Sequence, residues 1–234
     1  MRTFLTGTLA ALAVLGLSAA ALAAPPPTRV RGTIESIKGG TVTVRDYDGK
    51  TVPVMLEHDT HYAWIVRSSL RHIRPGEFIG TAATGPDSAL VAQEVVIFPR
   101  SMRGAGEGHY PWSMPAAIAR ADAGGASPPA DAPETMTNGT VTAAARVHGT
   151  MTNGTVSSAA NAAAGKDLTI TYDKGQKVQV RVPPTVPVVR LVPAHRSILK
   201  PGEKVFIVAA APASGEPLAA RFVGVGRHGL TPPM

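Results

Sequence analysis

The sequence predicts an all-β chain: two tandem small five-stranded β-barrels after a cleaved leader, joined by a flexible linker. Three observations carry this expectation. First, a set of short segments recurs in order. Val30-Arg31-Gly32-Thr33-Ile34, Thr41-Val42-Thr43-Val44, Arg74-Pro75-Gly76-Glu77 and Ala89-Leu90-Val91-Ala92 come first. Their later counterparts are Asn153-Gly154-Thr155-Val156, Asp167-Leu168-Thr169-Ile170, Lys200-Pro201-Gly202-Glu203 and Pro217-Leu218-Ala219-Ala220. Second, apolar and polar residues alternate within each copy, the period of a half-buried strand. Third, the chain has no cysteine. Each module must therefore be held by its own core, which a unit of about 70 residues can do only marginally.

Residues 1–23 read as a secretory signal peptide. Arg2 supplies the positive start, residues 4–17 the apolar run, and Ala21-Leu22-Ala23 the cleavage site. The apolar run is short for a membrane span, which takes about 20 apolar residues. The mature chain is expected to begin at Ala24, to reach the periplasm, and to carry no transmembrane span.

The first module is placed at 28–100. Val30, Gly32 and Ile34 alternate with Arg31, Thr33 and Glu35, and Lys38-Gly39-Gly40 turns the chain. Val42 and Val44 share one face, Asp48-Gly49 is a hairpin signal, and Val52, Val54 and Leu56 resume the alternation. Pro53 mid-run suits an edge or a bulge. Residues 60–73 form an excursion long enough for a short helix around Ser68 to Ile73. Pro75-Gly76 then turns into the fourth strand, and Leu90 to Phe98 is the fifth. Five strands with an excursion between the third and fourth is OB-like order.

The second module is placed at 135–228, with a tail at 229–234. Lys177 to Val182 alternates strictly, so Val178, Val180 and Val182 face a core while Lys177, Gln179 and Arg181 face out. Residues 135–141 repeat letter for letter as 150–156, and only one copy can fill the first-strand slot. Both copies contain an Asn-Gly-Thr glycosylation pattern, at Asn138 and Asn153. The intervening 101–134 reads as a linker containing an aromatic segment. Its Gly- and Pro-rich part, 121–133, cannot bury a core.

This plan resembles the DUF5666 domain of bacterial exported proteins, a small OB-like β-barrel family of unknown function. The matching positions are Val30, Gly32, Ile34, Val42, Val44, Pro75, Gly76, Ile79, Leu90 and Ala92. The second copy matches through Gly154, Val156, Leu168, Ile170, Pro201, Gly202, Val205, Leu218 and Ala220. The chain looks like a two-module member. The resemblance implies a fold and an exported location but no activity.

The net charge is +7. Residues 29–100 hold nine Lys and Arg against eight Asp and Glu, whereas residues 134–234 hold eleven against five. The second half is basic, which suits either solubility or contact with anionic envelope components through module two. Lys177 and Arg181 are the candidate anion-binding face. Glu57-His58-Asp59-Thr60-His61 is the metal candidate, with His72 as a further nitrogen, and zinc or copper would suit such ligands. His58 and His61 share a face only if the chain turns between them. His109, Tyr110 and Trp112 offer stacking surface for recognition, or else form a clasp over a barrel end.

No nucleophile–base pair, phosphate loop or carboxylate pair stands out, so no catalytic or cofactor-binding residue is assigned. The expected role is non-enzymatic binding or scaffolding in the envelope. Metal handling through His58 and His61 is the alternative.

Overall fold

The computed structural model describes residues 27–115, 146–162, 165–210 and 217–234. The leader, the stretch 121–133 and the first duplicate at 135–141 lie outside the described residues. Twelve strands form: β1 Thr28–Lys38, β2 Thr41–Asp46, β3 Thr51–Arg67, β4 Phe78–Thr84, β5 Leu90–Ile97 and β6 Gly108–Pro115 come from the first half. The second half gives β7 Arg146–Ala162, β8 Gly165–Tyr172, β9 Gln176–Val182, β10 Val188–Ala194, β11 Lys204–Ala210 and β12 Leu218–Gly226. The alternation read from the sequence holds in β9, where Val178, Val180 and Val182 are buried and Lys177, Gln179 and Arg181 are exposed. The second duplicate, 150–156, fills the first-strand slot as part of β7. Among the described residues no helix is long and apolar enough to cross a membrane.

Both barrels are present, but they do not coincide with the sequence repeats. β1, β2 and β3 close with β12 and β11, in the order 1-2-3-12-11. β1 runs antiparallel to β11 and β3 parallel to β12, so the strand order is OB-like. The second barrel takes β7, β8 and β9 from the later repeat and β4 and β5 from the earlier one. Each repeat therefore gives its first three strands to one barrel and its last two to the other. The boundaries 28–100 and 135–228 mark repeats, not independent barrels.

Pairing registers show a pseudo-twofold relation. Gly32 faces Val205 in one barrel, and Gly154 faces Ile79 in the other. β1 carries a bulge between Ile34 and Ser36, and β7 one between Val156 and Ser158. The turns match as well: Gly76 N donates to Val156 O, and Gly202 N donates to Ile34 O, both at 2.8 Å. Gly76 and Gly202 both have φ of +88° after a proline, as the second central residue of a type II turn requires.

The exchange has a local cause. β3 does not stop at its barrel. Tyr62-Ala63-Trp64-Ile65-Val66 is aromatic and β-branched with no breaker, so the strand runs on where an excursion was expected. This extension pairs antiparallel with β10, and Ile65 lies opposite Leu191 at the centre of the pairing. The pseudo-dyad passes through that pair. The chain thus leaves the first barrel at its rim and delivers β4 and β5 into the second. The expected short helix is a 3-10 turn, Leu70–His72, matched by Arg196–Ile198 in the later repeat.

Three buried clusters result. One fills the first barrel around Ile34, Val44, Val205 and Ile207. The second fills the other barrel around Ile79, Val95, Leu168 and Ile170. The third lies on the dyad between them and includes Ile65, Leu191, Trp112, Met151, Phe206 and Met234.

Candidate functional site

The third cluster is incomplete, and the gap is a cavity of about 320 Å³. Its walls come from the outward faces of strands whose inward faces fill the barrels. Along β1, Val30 and Ile34 face the first core, so Arg29 and Arg31 must face the dyad layer. Met151 and Asn153 occupy the matching register positions on β7. Phe206 and Val208 of β11, Phe222 of β12 and Val96 of β5 complete the apolar wall.

The segment 101–115 is not a linker. Arg100–Met102 is a 3-10 turn, and β6 then adds to the edge of β7, with Tyr110 opposite Met151 and Trp112 opposite Gly149. Trp112 is 8% exposed and tilts against Phe206 at 6.4 Å between ring centroids. The aromatic segment thus closes the layer between barrels rather than a barrel end. His109 points elsewhere: it stacks on Tyr172 at 5.7 Å, and its Nδ1 lies 2.7 Å from Thr152 Oγ1.

Two guanidinium groups sit among these rings. Arg29 lies 4.2 Å from the Trp112 ring centroid and 5.7 Å from that of Tyr110. Arg31 is 9% exposed, lies 5.3 Å from both the Trp112 and Phe206 centroids, and its Nε donates to the carbonyl oxygen of Met234. Burial pushes the Tyr110 phenol above its ordinary value, and the Arg29 charge partly offsets this.

Asn153 is the hinge of the polar side. Its Nδ2 donates to Gly106 O at 2.8 Å and to the Tyr110 hydroxyl at 3.0 Å. Glycine opposite leaves room for this side chain: a Cβ on Gly80 would sit 2.4 Å from Asn153 Oδ1 and displace it. Asn153 is 7% exposed, so its glycosylation pattern does not present an accessible acceptor.

The other sequence candidates are placed as follows. β3 does turn locally: six residues of β3 from Leu56 to His61 span three of β12 from Ala220 to Phe222. Thr60 stabilises this bulge, accepting from Glu57 N and donating to Ala220 O. Yet His58, His61 and His72 are not gathered: among the described residues no three His, Cys, Asp or Glu side chains form a group able to hold a metal. His61 lines the dyad cavity, while the His72 ring contacts Ser68 and Ser69. Burial, with Arg71, Arg190 and Arg74 nearby, lowers the His72 pKa. Asp59 instead pairs with Arg221 at 3.2 Å.

Arg181 pairs with Asp167 at 3.0 Å, and among the described residues no ion pair includes Lys177, the other cation of that proposed face. A hollow of about 470 Å³ opens beside this pair, at the short seam between β5 and β9. It is larger than the dyad cavity, but small side chains such as Ser88, Ala89, Ser158 and Ala160 line it and its cation is neutralised. The dyad cavity has the aromatic walls and the few placed polar groups that characterise ligand sites.

Sequence reasoning missed this site because its residues come from nine strands drawn from both halves of the chain. One signal was available: Arg29 and Arg31 alternate with core residues, which puts two cations on the face turned away from the first core. Comparison with protein-family models, with curated proteins and with solved structures found no match.

Proposed function

We propose that the protein is a non-enzymatic binding protein of the cell envelope, whose ligand occupies the cavity between the two barrels. The observation that carries this reading is the cavity itself: about 320 Å³, preformed, walled by Phe206, Phe222, Trp112 and Met151, with the polar side chains of Arg29, Asn153, Tyr110, His61 and Arg221 in its lining. That size lies at the lower end of the range for small-molecule sites. A ligand there makes dispersion contacts with Phe206, Phe222 and Met151. The leader-like residues 1–23 and the resemblance to DUF5666 support export to the periplasm.

The test is thermal denaturation with a panel of small aromatic and aliphatic compounds. Compounds of matching size raise the melting temperature of the natural chain. They fail to do so with Ala105→Phe, which places a ring at the cavity wall from a half-buried loop position. A panel with no stabilising compound overturns the reading.

A further inference from the structure

We infer that the cavity selects a compact aromatic monoanion, held by its ring between Phe206, Phe222 and Met151 and by its carboxylate or sulfonate at Arg29. This deepens the binding reading above and rests on it.

Three features set the class. Size comes first. An apolar cavity of about 150 Å³ accommodates benzene. About 320 Å³ then corresponds to a ligand of roughly a dozen heavy atoms, the size of a two-ring system. Charge comes second. Arg29, His61 and Arg221 line the cavity, and among the described residues no Asp or Glu does. Arg221 is already paired with Asp59. Among the described residues no carboxylate pairs with Arg29, whose neighbours are the Trp112 and Tyr110 rings. A guanidinium stacked on a ring keeps its in-plane N–H groups available for a carboxylate fork. A cationic ligand would meet like charge and find no partner.

Hydrogen-bonding capacity comes third. Trp112 Nε1 is buried and has no hydrogen-bond partner among the described residues. An indole N–H only donates, and a buried donor without a partner is rare and costly. The ring that carries this donor is the one Arg29 covers, so the indole N–H belongs to the same wall as the guanidinium. The three features converge on an acceptor-rich anionic head and an aromatic body.

The register makes the assignment directional. Met151 holds the position on β7 that Arg29 holds on β1. Both arginines of the lining, Arg29 and Arg221, stand on strands of the first barrel beside Phe206 and Phe222, whereas the wall from the second barrel, with Val96, Met151 and Asn153, carries no charge. An anion with one charged end fits that polarity, and a symmetric dianion does not.

The experiment is isothermal titration of the full chain with 2-naphthoate, and with 2-naphthamide as its neutral counterpart of equal size. The inference expects naphthoate to bind at least tenfold tighter than naphthamide at low salt, with the advantage shrinking as salt rises. Arg29→Met, which keeps the stem but removes the charge, abolishes that advantage while leaving naphthamide binding within about twofold. Arg29→Lys restores part of it. Equal binding of the two compounds, or an advantage that survives Arg29→Met, overturns the anion assignment and leaves the cavity as a neutral site. Binding of neither compound, by a chain whose circular dichroism is unchanged, overturns this inference. Failure of the wider panel as well would remove the binding reading with it.

Discussion

Cutting the chain between its repeats tests the exchanged architecture directly. The perturbation is to produce residues 24–115 and 146–234 as separate polypeptides. If each repeat closed its own barrel, each piece would fold alone. In the exchanged fold each piece holds three strands of one barrel and two of the other. The later piece then loses the partner of β11 and β12, whose Val205, Ile207, Val223 and Val225 are all 0% exposed in the whole chain. Burial of each such side chain stabilises by about 1.5–3 kcal/mol, so these four alone represent roughly 6–12 kcal/mol. That is comparable with the whole stability of a small protein, about 5–15 kcal/mol. Each piece alone is therefore expected to lack the native fold, and the mixed pieces to associate one to one. Size-exclusion chromatography with light scattering, and circular dichroism of each piece and of the mixture, read this out. The same logic makes the uncut chain unfold in one step, with Ile170→Ala and Ile207→Ala moving the same transition even though they lie in different barrels. A monomeric piece with its own cooperative melting transition would refute the exchange.

Two further outcomes follow from local geometry. Gly76→Val and Gly202→Val each lower stability by roughly 1 kcal/mol or more through left-handed strain, since both have φ of +88° and no atom stands within 4 Å to clash with an added Cβ; denaturation midpoints check this, and a cost at one site only would break the pseudo-symmetry argument. The Tyr110 phenol titrates above its ordinary value because burial disfavours the phenolate, so the unfolded chain loses that proton first and the associated stability, present below pH 10, is lost as pH rises through the folded value; absorbance titration of Tyr110→Phe against the natural chain is expected to show the loss of a late-ionising phenol.

The five strands of each repeat were legible because each had a local cause, whereas β6 and β10 were not read as strands. Alternation placed Val42, Val44, Val178 and Val180 in cores, and Pro75-Gly76 and Pro201-Gly202 fixed two turns by their need for a positive φ. What could not be read was which copy each strand joined. Ile79 in β4 fits beside Gly154 as well as beside Gly32, because the repeats present the same small residue at the same register. Local sequence does not distinguish closure within a repeat from closure between repeats. The deciding feature was the unbroken run Tyr62 to Val66, which reads equally as a loop with a short helix until its pairing with β10 is known. The same ambiguity hid the site. Tyr110 and Trp112 were visible as an aromatic pair, but Arg29, Phe206 and Phe222 meet them only through the exchange.

The pseudo-symmetry explains why the cavity on the dyad is asymmetric. Inside the barrels, equivalent positions keep their character: Ile34 matches Val156, Val44 matches Ile170 and Ile79 matches Val205. A closed five-stranded barrel leaves its interior little freedom, since both cores must be filled by side chains of similar volume. The layer between barrels has no such constraint, and there the copies differ at every wall. Phe206 stands opposite Arg31, whereas Gly80 stands opposite Asn153. Phe222 faces Val208, whereas Glu94 faces Ala82. The glycine makes room for the asparagine, and the asparagine fastens Gly106 and Tyr110, so β6 can lie across one side of the dyad. On the other side Phe206 and Phe222 provide the aromatic floor. Neither repeat alone contains the arrangement: one supplies the cation and the cover, the other the floor. Exchange of strands between the barrels brings these unlike contributions together at the dyad, in a single asymmetric site.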